Sequence, residues 1–530
     1  MQIVLFRIPL AVLLMLVLTS PLGAEYVGRS PAELGKVTFP TSCNASVGDT
    51  FARGVALLHS FWWSEGESTF KAVLAQDPSC AIAAWGLASI YMNNPFGTPP
   101  ASRPADALAA LDLARRSPAK TQRERDYVEA AAVYYDDFST KPEPARALAR
   151  AKAYEALVAK YPSDEEAKIF YALYLAASQP LSDQTYASRI KAASILEGLL
   201  PTHPEHPGVA HYLIHCYDEP PYASKGLPSA NRYAGIAPAA PHALHMPSHI
   251  YTRLGSWTES IATNRRATIA AKQGNEPGET LHTMDYTVYA ALQLARDNDA
   301  RAIVAAAPDV DISKLTGPGA PYARAAMPAR FAVERGAWTE AAKLDVTSSR
   351  FPYTEAMTRF ARALGAVRGG TAASAAPELA RIVELRDTLT AAGNAYWASE
   401  VEVMRLSSAA WIALSEKRND EAAALMRQAA ETEDRNEKAS VTPGRILPAR
   451  ELLGDLLLAL DRPADALREY EMSQIREPNR FRGLNGSAMA AARAGDRAKA
   501  KGYYERLVAM AGAGDPRPEI ASAKAYLALR

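Results

Sequence analysis

The sequence predicts an all-α protein built from stacked helix-turn-helix units. Three observations carry that expectation. Strand signals are sparse while alanine, the best helix former, is abundant. Small residues, an aromatic residue and a proline recur at fixed offsets along much of the chain. The chain of 530 residues is 48% hydrophobic and 22% charged, which is ample for a large core and too apolar for global disorder. Lys+Arg 59 against Asp+Glu 58 leaves a formal charge of +1, so there is no basic footprint and no nucleic-acid partner is expected. Three cysteines are too few for a disulfide scaffold.

The chain opens MQIVLFRIPLAVLLMLVLTSPLGAEY. Arg7 supplies a positive start and Ile8 to Leu18 a short apolar run, too short for a comfortable membrane span. Residues 1–24 are therefore expected to be a secretory signal peptide, cut near Ala24, with an uncleaved anchor as the alternative. No Cys follows the run, which argues against a lipid anchor, and no later segment suits a membrane span. The expected address is periplasmic or secreted. An oxidising compartment exposes the cysteines, and Cys43 and Cys80, flanking the first helical pair, are expected to bridge. Cys216 is left as a buried small hydrophobe or part of a site.

The remaining chain divides into a short extended segment, 25–50, followed by repeats. The clearest unit is PARELLGDLLLALDRPADALREYEMSQIREP, Pro448 to Pro478. Gly454, Leu457, Ala466, Tyr470 and Pro478 fall at positions 8, 11, 20, 24 and 32 of a 34-residue unit. Ala488, Ala500 and Tyr504 keep the phase in the next unit, and Ile520 to Leu529 has the look of a capping helix. Gly54, Phe70 and Pro78 repeat the pattern near the N-terminus, and Tyr154 with Pro162, and Ala410 with Ala422 and Met426, extend it. Gly255-Ser256-Trp257 and Gly336-Ala337-Trp338 read as matching inter-helix turns. On these residues the chain resembles the tetratricopeptide repeat (TPR) family. The resemblance implies a TPR-like α-solenoid, a right-handed superhelix of about seven to nine units, with repeats at 51–300 carrying a His-rich groove and further repeats and a cap at 301–530. Irregular pieces are expected at Asn94 to Arg103, Asp218 to Pro228 and Pro308 to Pro321.

The histidines depart from this background. Eight of nine lie within residues 203–282, the ninth being His59. In the TPR family, positions 2, 5, 9, 12 and 13 of the first helix line the concave face. Phased by neighbouring glycines and prolines, His211, His215 and Asp218 take positions 5, 9 and 12 of one unit. His242, His245 and His249 take 2, 5 and 9 of another, and His59 takes 13 of a third. His282 and Asp285 begin the following repeat. A His pair at i, i+4 places two imidazoles one helical turn apart, the spacing a metal ion uses. HYLIHCYD, HALHMPSH and LHTMDY thus make His211, His215, Asp218, His245, His249 and His282 candidate ligands for a divalent transition metal: Zn, Cu, Fe, Mn or Ni. Asp285, Glu219, Tyr217 and Tyr251 are candidate partners for the second ring nitrogens. Two features oppose this reading. Pro247 could start a new helix and turn His245 away from His249, and a groove histidine is often only a hydrogen-bonded polar residue. His203 and His206 are expected to be solvated in a turn.

His59, Trp85, His242, Asp285 and Glu451 complete the candidate groove, Trp85 as a stacking surface or as core, Glu451 as part of a polar lip from Thr442 to Glu451. Arg232, Arg253, Arg265 and Arg266 could neutralise an anionic ligand. No HExxH motif, nucleophile elbow, phosphate loop or dinucleotide fingerprint is present. The segment from His211 to Asp285 resembles an exported bacterial TPR family, a likeness that implies fold and export but no reaction. The expected function is ligand binding in a His-lined groove, with a transition metal that could support chemistry there. The alternative is a non-catalytic scaffold holding a peptide or an envelope protein, and an enzyme using His as a general base ranks behind both.

Overall fold

The computed structural model describes residues 33–528 except 101, 118 and 348, so the expected signal peptide lies outside the described residues. Among the described residues there are 26 α-helices and no β-strand. Successive helices pack antiparallel on their chain neighbours, from Gly48–His59 against Trp63–Gln76 to Arg497–Ala511 against Pro518–Ala528. This is an all-helical solenoid of helix-turn-helix repeats, TPR-like in architecture. No described helix is long and apolar enough to cross a membrane. Cys43 and Cys80 are joined by a disulfide.

The phase of the repeats has a steric basis. Phe70 is fully buried between Gly54 and Gly86, and a Cβ at Gly54 would stand 2.7 Å from its ring. Tyr470 is wedged in the same way between Gly454 and Gly486, with a Cβ at Gly454 falling 2.6 Å from its ring. In both places the aromatic of one unit fills the gap left by a glycine in its own first helix and a glycine in the next. Trp85 belongs to this core. It is fully buried, edge-on to Tyr127 and Phe170, with Nε1–H donating to the Tyr154 hydroxyl at 3.0 Å. The reading of Trp85 as a ligand surface is therefore corrected, because its ring packs between helices.

The concave face is not an open groove. The chain leaves the Asn419–Asp434 helix and runs irregularly to Ala449 through the middle of the molecule. Glu437 N–H donates to Leu181 O at 2.8 Å, Ser440 Oγ to Phe96 O at 3.3 Å, and Arg330 to Gly444 O at 2.9 Å. Lys438, Ala439, Thr442, Ile446 and Leu447 are buried. Further ties close the coil: Trp397 Nε1–H to Thr98 O, Trp257 Nε1–H to Asn479 O, and Arg517 to Asp297. The stretch expected to form a polar lip is thus an internal strap. Glu451 sits beyond it, buried against Arg480 at 2.8 Å together with Glu334, and takes no part in a groove. Of the irregular pieces, Asp218 to Pro228 is shorter than expected, since a helix spans Ala223–Ile236 and contains Pro228.

Candidate metal centre

Four helices bring the histidines together. Pro207–Tyr217 carries His211 and His215 one turn apart. Pro241–His245 and Pro247–Leu254 carry His242, His245 and His249. Pro277–Gln293 carries His282. Each begins on a proline, which needs no intrahelical N–H partner there. A new helix does start at Pro247, but Met246 keeps helical angles (φ −52°, ψ −36°), so the axis runs on nearly in register. His245 and His249 consequently share a face, and their Nε2 atoms stand 3.1 Å apart.

The imidazoles form two neighbouring triads. In each of the sets His211, His215, His242 and His245, His249, His282, one ring nitrogen per residue lies within 4.8 Å of the other two. The triads adjoin: ring centroids are 5.9 Å apart for His215 and His249, and 5.7 Å for His242 and His245. Aromatic rings confine them. Phe96 stacks on His215 with centroids 4.0 Å apart, Tyr233 on His211 at 5.1 Å, and Tyr286 packs edge-on to His245 at 4.7 Å.

Four of the six second nitrogens are committed. His211 Nδ1–H donates to the His59 carbonyl at 2.6 Å, and His242 Nδ1–H to Glu279 at 3.2 Å. His245 Nδ1–H donates to Asn264 Oδ1 at 2.7 Å, and His249 Nδ1–H to Asp218 Oδ2 at 2.8 Å. The Asn264 amide is oriented by its own Nδ2–H bond to Ser260 O at 2.8 Å. Each Nε2 is then a bare lone pair. Those of His211, His215 and His242 are buried with no hydrogen-bond partner. Carbonyl and carboxylate acceptors on the far ring nitrogen are the usual support of a metal-ligating imidazole. Burial, the chief cause, holds His211 and His215 well below the ordinary histidine pKa and lowers His245 and His282 to about 3, with neighbouring imidazoles adding to the effect. Burial lowers His249 to about 4 against the opposing pull of Asp218. These rings are neutral at pH 7, the form in which imidazole binds metal.

Asp218 is placed differently from expectation. Its carboxylate accepts from His249, from Arg253 Nε at 2.8 Å and from Lys438 Nζ at 3.1 Å, which fills its oxygens. Burial would raise its pKa, but Lys438 and Arg253 hold it well below the carboxylate range. It orients the His249 ring and belongs to neither imidazole triad. Asp285 faces Arg330 at 2.6 Å, Glu219 faces Arg189 at 2.6 Å, Tyr217 bonds Glu197 and Tyr251 bonds Asn231, so none supports an imidazole. Of the four arginines, Arg253 alone reaches the centre, through Asp218; Arg265 pairs with Asp299 and Arg232 bonds Pro204 O. Glu279 and Asn264, which do support imidazoles, escaped the sequence reading. Glu279 carried a usable signal, three residues before His282 on the same helix face.

His59 and His206 form a separate network. His206 is buried, against the expectation of a solvated turn, because Nδ1 caps the Pro207–Tyr217 helix by accepting from Gly208 N–H at 3.1 Å. Its Nε2–H donates to Glu166 Oε1 at 3.0 Å, and Glu166 Oε2 lies 2.9 Å from His59 Nε2. His59 Nδ1 is matched with the Tyr212 hydroxyl at 2.8 Å. Every nitrogen here has a partner, so the set is a structural brace beneath the helix that carries His211 and His215. His203 is half-buried beside Glu165. Cys216 is buried, with its thiol pushed up to about 12, and packs as a hydrophobe.

A cavity of about 370 Å³ abuts the centre. His215, His242, His249 and His282 form one wall, with Phe61, Trp62, Trp63, Tyr353 and Trp397 on others and the stretch from Lys314 to Gly319 at the rim. Tyr353 and Trp397 stack at 3.9 Å.

Neither the known protein-family models nor the curated proteins contain a match to the chain. Among solved structures, yeast Tom70 is similar at 11% identity over 89% of this chain and 94% of that one, with a TM-score of 0.35. The Cut9-Hcn1 hetero-tetramer of APC/C gives 11% identity, 90% and 95% coverage, and a TM-score of 0.27. Naa15/Naa10 bound to HypK gives 12%, 87% and 70%, and 0.24. Likenesses of this order carry no argument about a site or an activity.

Proposed function

We propose that this is an exported helical-repeat protein that binds a transition metal at its central histidines and presents it to a small ligand in the adjoining cavity. One observation carries the reading. His245 and His249 point Nε2 atoms at each other across 3.1 Å while both Nδ1–H groups donate elsewhere. Two lone pairs at that distance repel, and a cation between them removes the repulsion. Nitrogens bound to one tetrahedral ion at about 2.0–2.1 Å stand about 3.3 Å apart, close to this separation. A metal there would act as a Lewis acid or redox centre at the cavity wall, supporting a hydrolytic or oxidative step. The Cys43–Cys80 disulfide and the apolar N-terminal run support export.

Elemental analysis of the purified protein tests this. A stoichiometric first-row metal, lost in the His215→Ala/His249→Ala double variant, is the expected result. A folded protein that takes up none of Zn, Cu, Ni, Mn and Fe overturns it. Export is checked by N-terminal sequencing of the mature protein, expected to begin at Glu25.

The competing reading is a non-catalytic scaffold for a peptide or an envelope protein, a use that solenoids of this architecture often serve through a concave surface. It predicts co-purifying polypeptide, no metal and graded loss on single His replacement. Lys438, Ala439, Thr442, Ile446 and Leu447 of the internal strap are buried, so a peptide would bind beside the strap and not in its place.

A further inference from the structure

We infer that the centre holds two copper ions, one in each triad, rather than a single ion shared among facing pairs. The inference rests on the metal-binding reading above and adds number and identity to it. The grouping of donors argues for two. His211, His215 and His242 converge as one set, and His245, His249 and His282 as another. One ion would leave half of the donors unused, because the ring nitrogens gather within 4.8 Å of one another as two separate threes and not as one group of six. Both triads have built outer supports of their own: the His59 carbonyl and Glu279 for the first, Asn264 and Asp218 for the second.

The donor chemistry argues for copper. All six donors are imidazole nitrogens, which suit copper and zinc better than the oxygen-preferring ions, and divalent copper leads the affinity order for such sets. Charge then separates the two. The supporting carboxylates are Asp218 and Glu279, and Asp218 is already matched by Arg253 and Lys438. Little buried negative charge is left to offset two divalent ions, whose burial is costly when unpaired. Copper can enter as Cu(I), which halves that charge and accepts a three-nitrogen set.

The test is an anaerobic titration of metal-free full-length protein with Cu(I) in competition with a colorimetric chelator. The expected result is two equivalents per chain. His211→Gln/His242→Gln and His245→Gln/His249→Gln variants, checked for folding by circular dichroism, should each retain one. Oxidation of the loaded protein should give less Cu(II) electron-paramagnetic-resonance intensity than two isolated spins, because the ions are neighbours. One equivalent abolished by either double variant overturns the pair while leaving metal binding intact. Two equivalents of Zn(II) without Cu(I) uptake overturns copper. No uptake of any ion overturns both this inference and the reading it rests on. The wild-type stoichiometry decides the matter even where a variant fails to fold.

Discussion

Asp218 and His249 lie on different helical hairpins, yet the imidazole Nδ1–H meets the carboxylate at 2.8 Å, and Arg253 and Lys438 grip the same carboxylate. The strap residue Lys438 is thereby coupled to a candidate metal ligand. Asp218→Asn keeps an acceptor but removes the charge that balances two buried cations. Metal affinity should fall about 10–100-fold, and stability by roughly 3–5 kcal/mol. Competitive metal titration and urea denaturation of the metal-free protein measure the two effects separately.

A largely buried carboxyl near the end of the Asn419–Asp434 helix sets a pH dependence. Burial, with Glu477 and Glu400 adding to it and Arg445 opposing, raises Glu433 to about 8 from the ordinary 4.5. The folded protein therefore binds this proton more tightly than the unfolded chain does. Its contribution to stability is complete below pH 4.5 and is lost as pH rises to about 8, at up to about 1.4 kcal/mol per pH unit. Glu433→Gln, which retains an acceptor for the Ala449 N–H bond, should be more stable than wild type at pH 8–9 and indistinguishable from it near pH 4. Equal denaturation midpoints at both pH values would contradict this.

The repeat phase can be tested by adding a methyl group. Gly54→Ala drives a Cβ to 2.7 Å from Phe70, and overpacking of this kind costs about 1–3 kcal/mol. Gly198, on an exposed helical face with nothing within 4 Å of an added Cβ, should gain roughly 0.5–1 kcal/mol on the same change. Opposite shifts in thermal midpoint are expected for the two variants.

Arg480 is fully buried between Glu334 and Glu451 and also donates to the Tyr289 hydroxyl at 2.7 Å. Arg480→Ala leaves two carboxylates buried without their cation and should cost about 3–5 kcal/mol in urea denaturation. Restoring part of that loss by Glu451→Gln in the same chain would show that uncompensated charge, not lost packing, is the cause.

Local pattern was enough to read the helical repeats. Gly54, Phe70, Gly454 and Tyr470 obey short-range rules, since a wedge between adjacent helices depends only on neighbouring units. The helix faces of His211, His215, His245 and His249 were legible for the same reason. Sequence spacing made Pro247 look disruptive, and only backbone angles at Met246 reveal that the helix continues.

Which groups lie opposite one another is a different kind of fact. The pairing of Asp218 with Lys438, the choice of Asn264 and Glu279 over Asp285 and Glu219, and the burial of Glu451 with Arg480 all join segments far apart in the chain. The coil's curvature and the strap's path set those distances, and both come from the sum of many packing contacts. Residue spacing along one helix can align a stripe of imidazoles. It cannot say what packs over them, and here the tertiary structure turns an expected groove into an aromatic-lined cavity beside two sets of imidazole nitrogens.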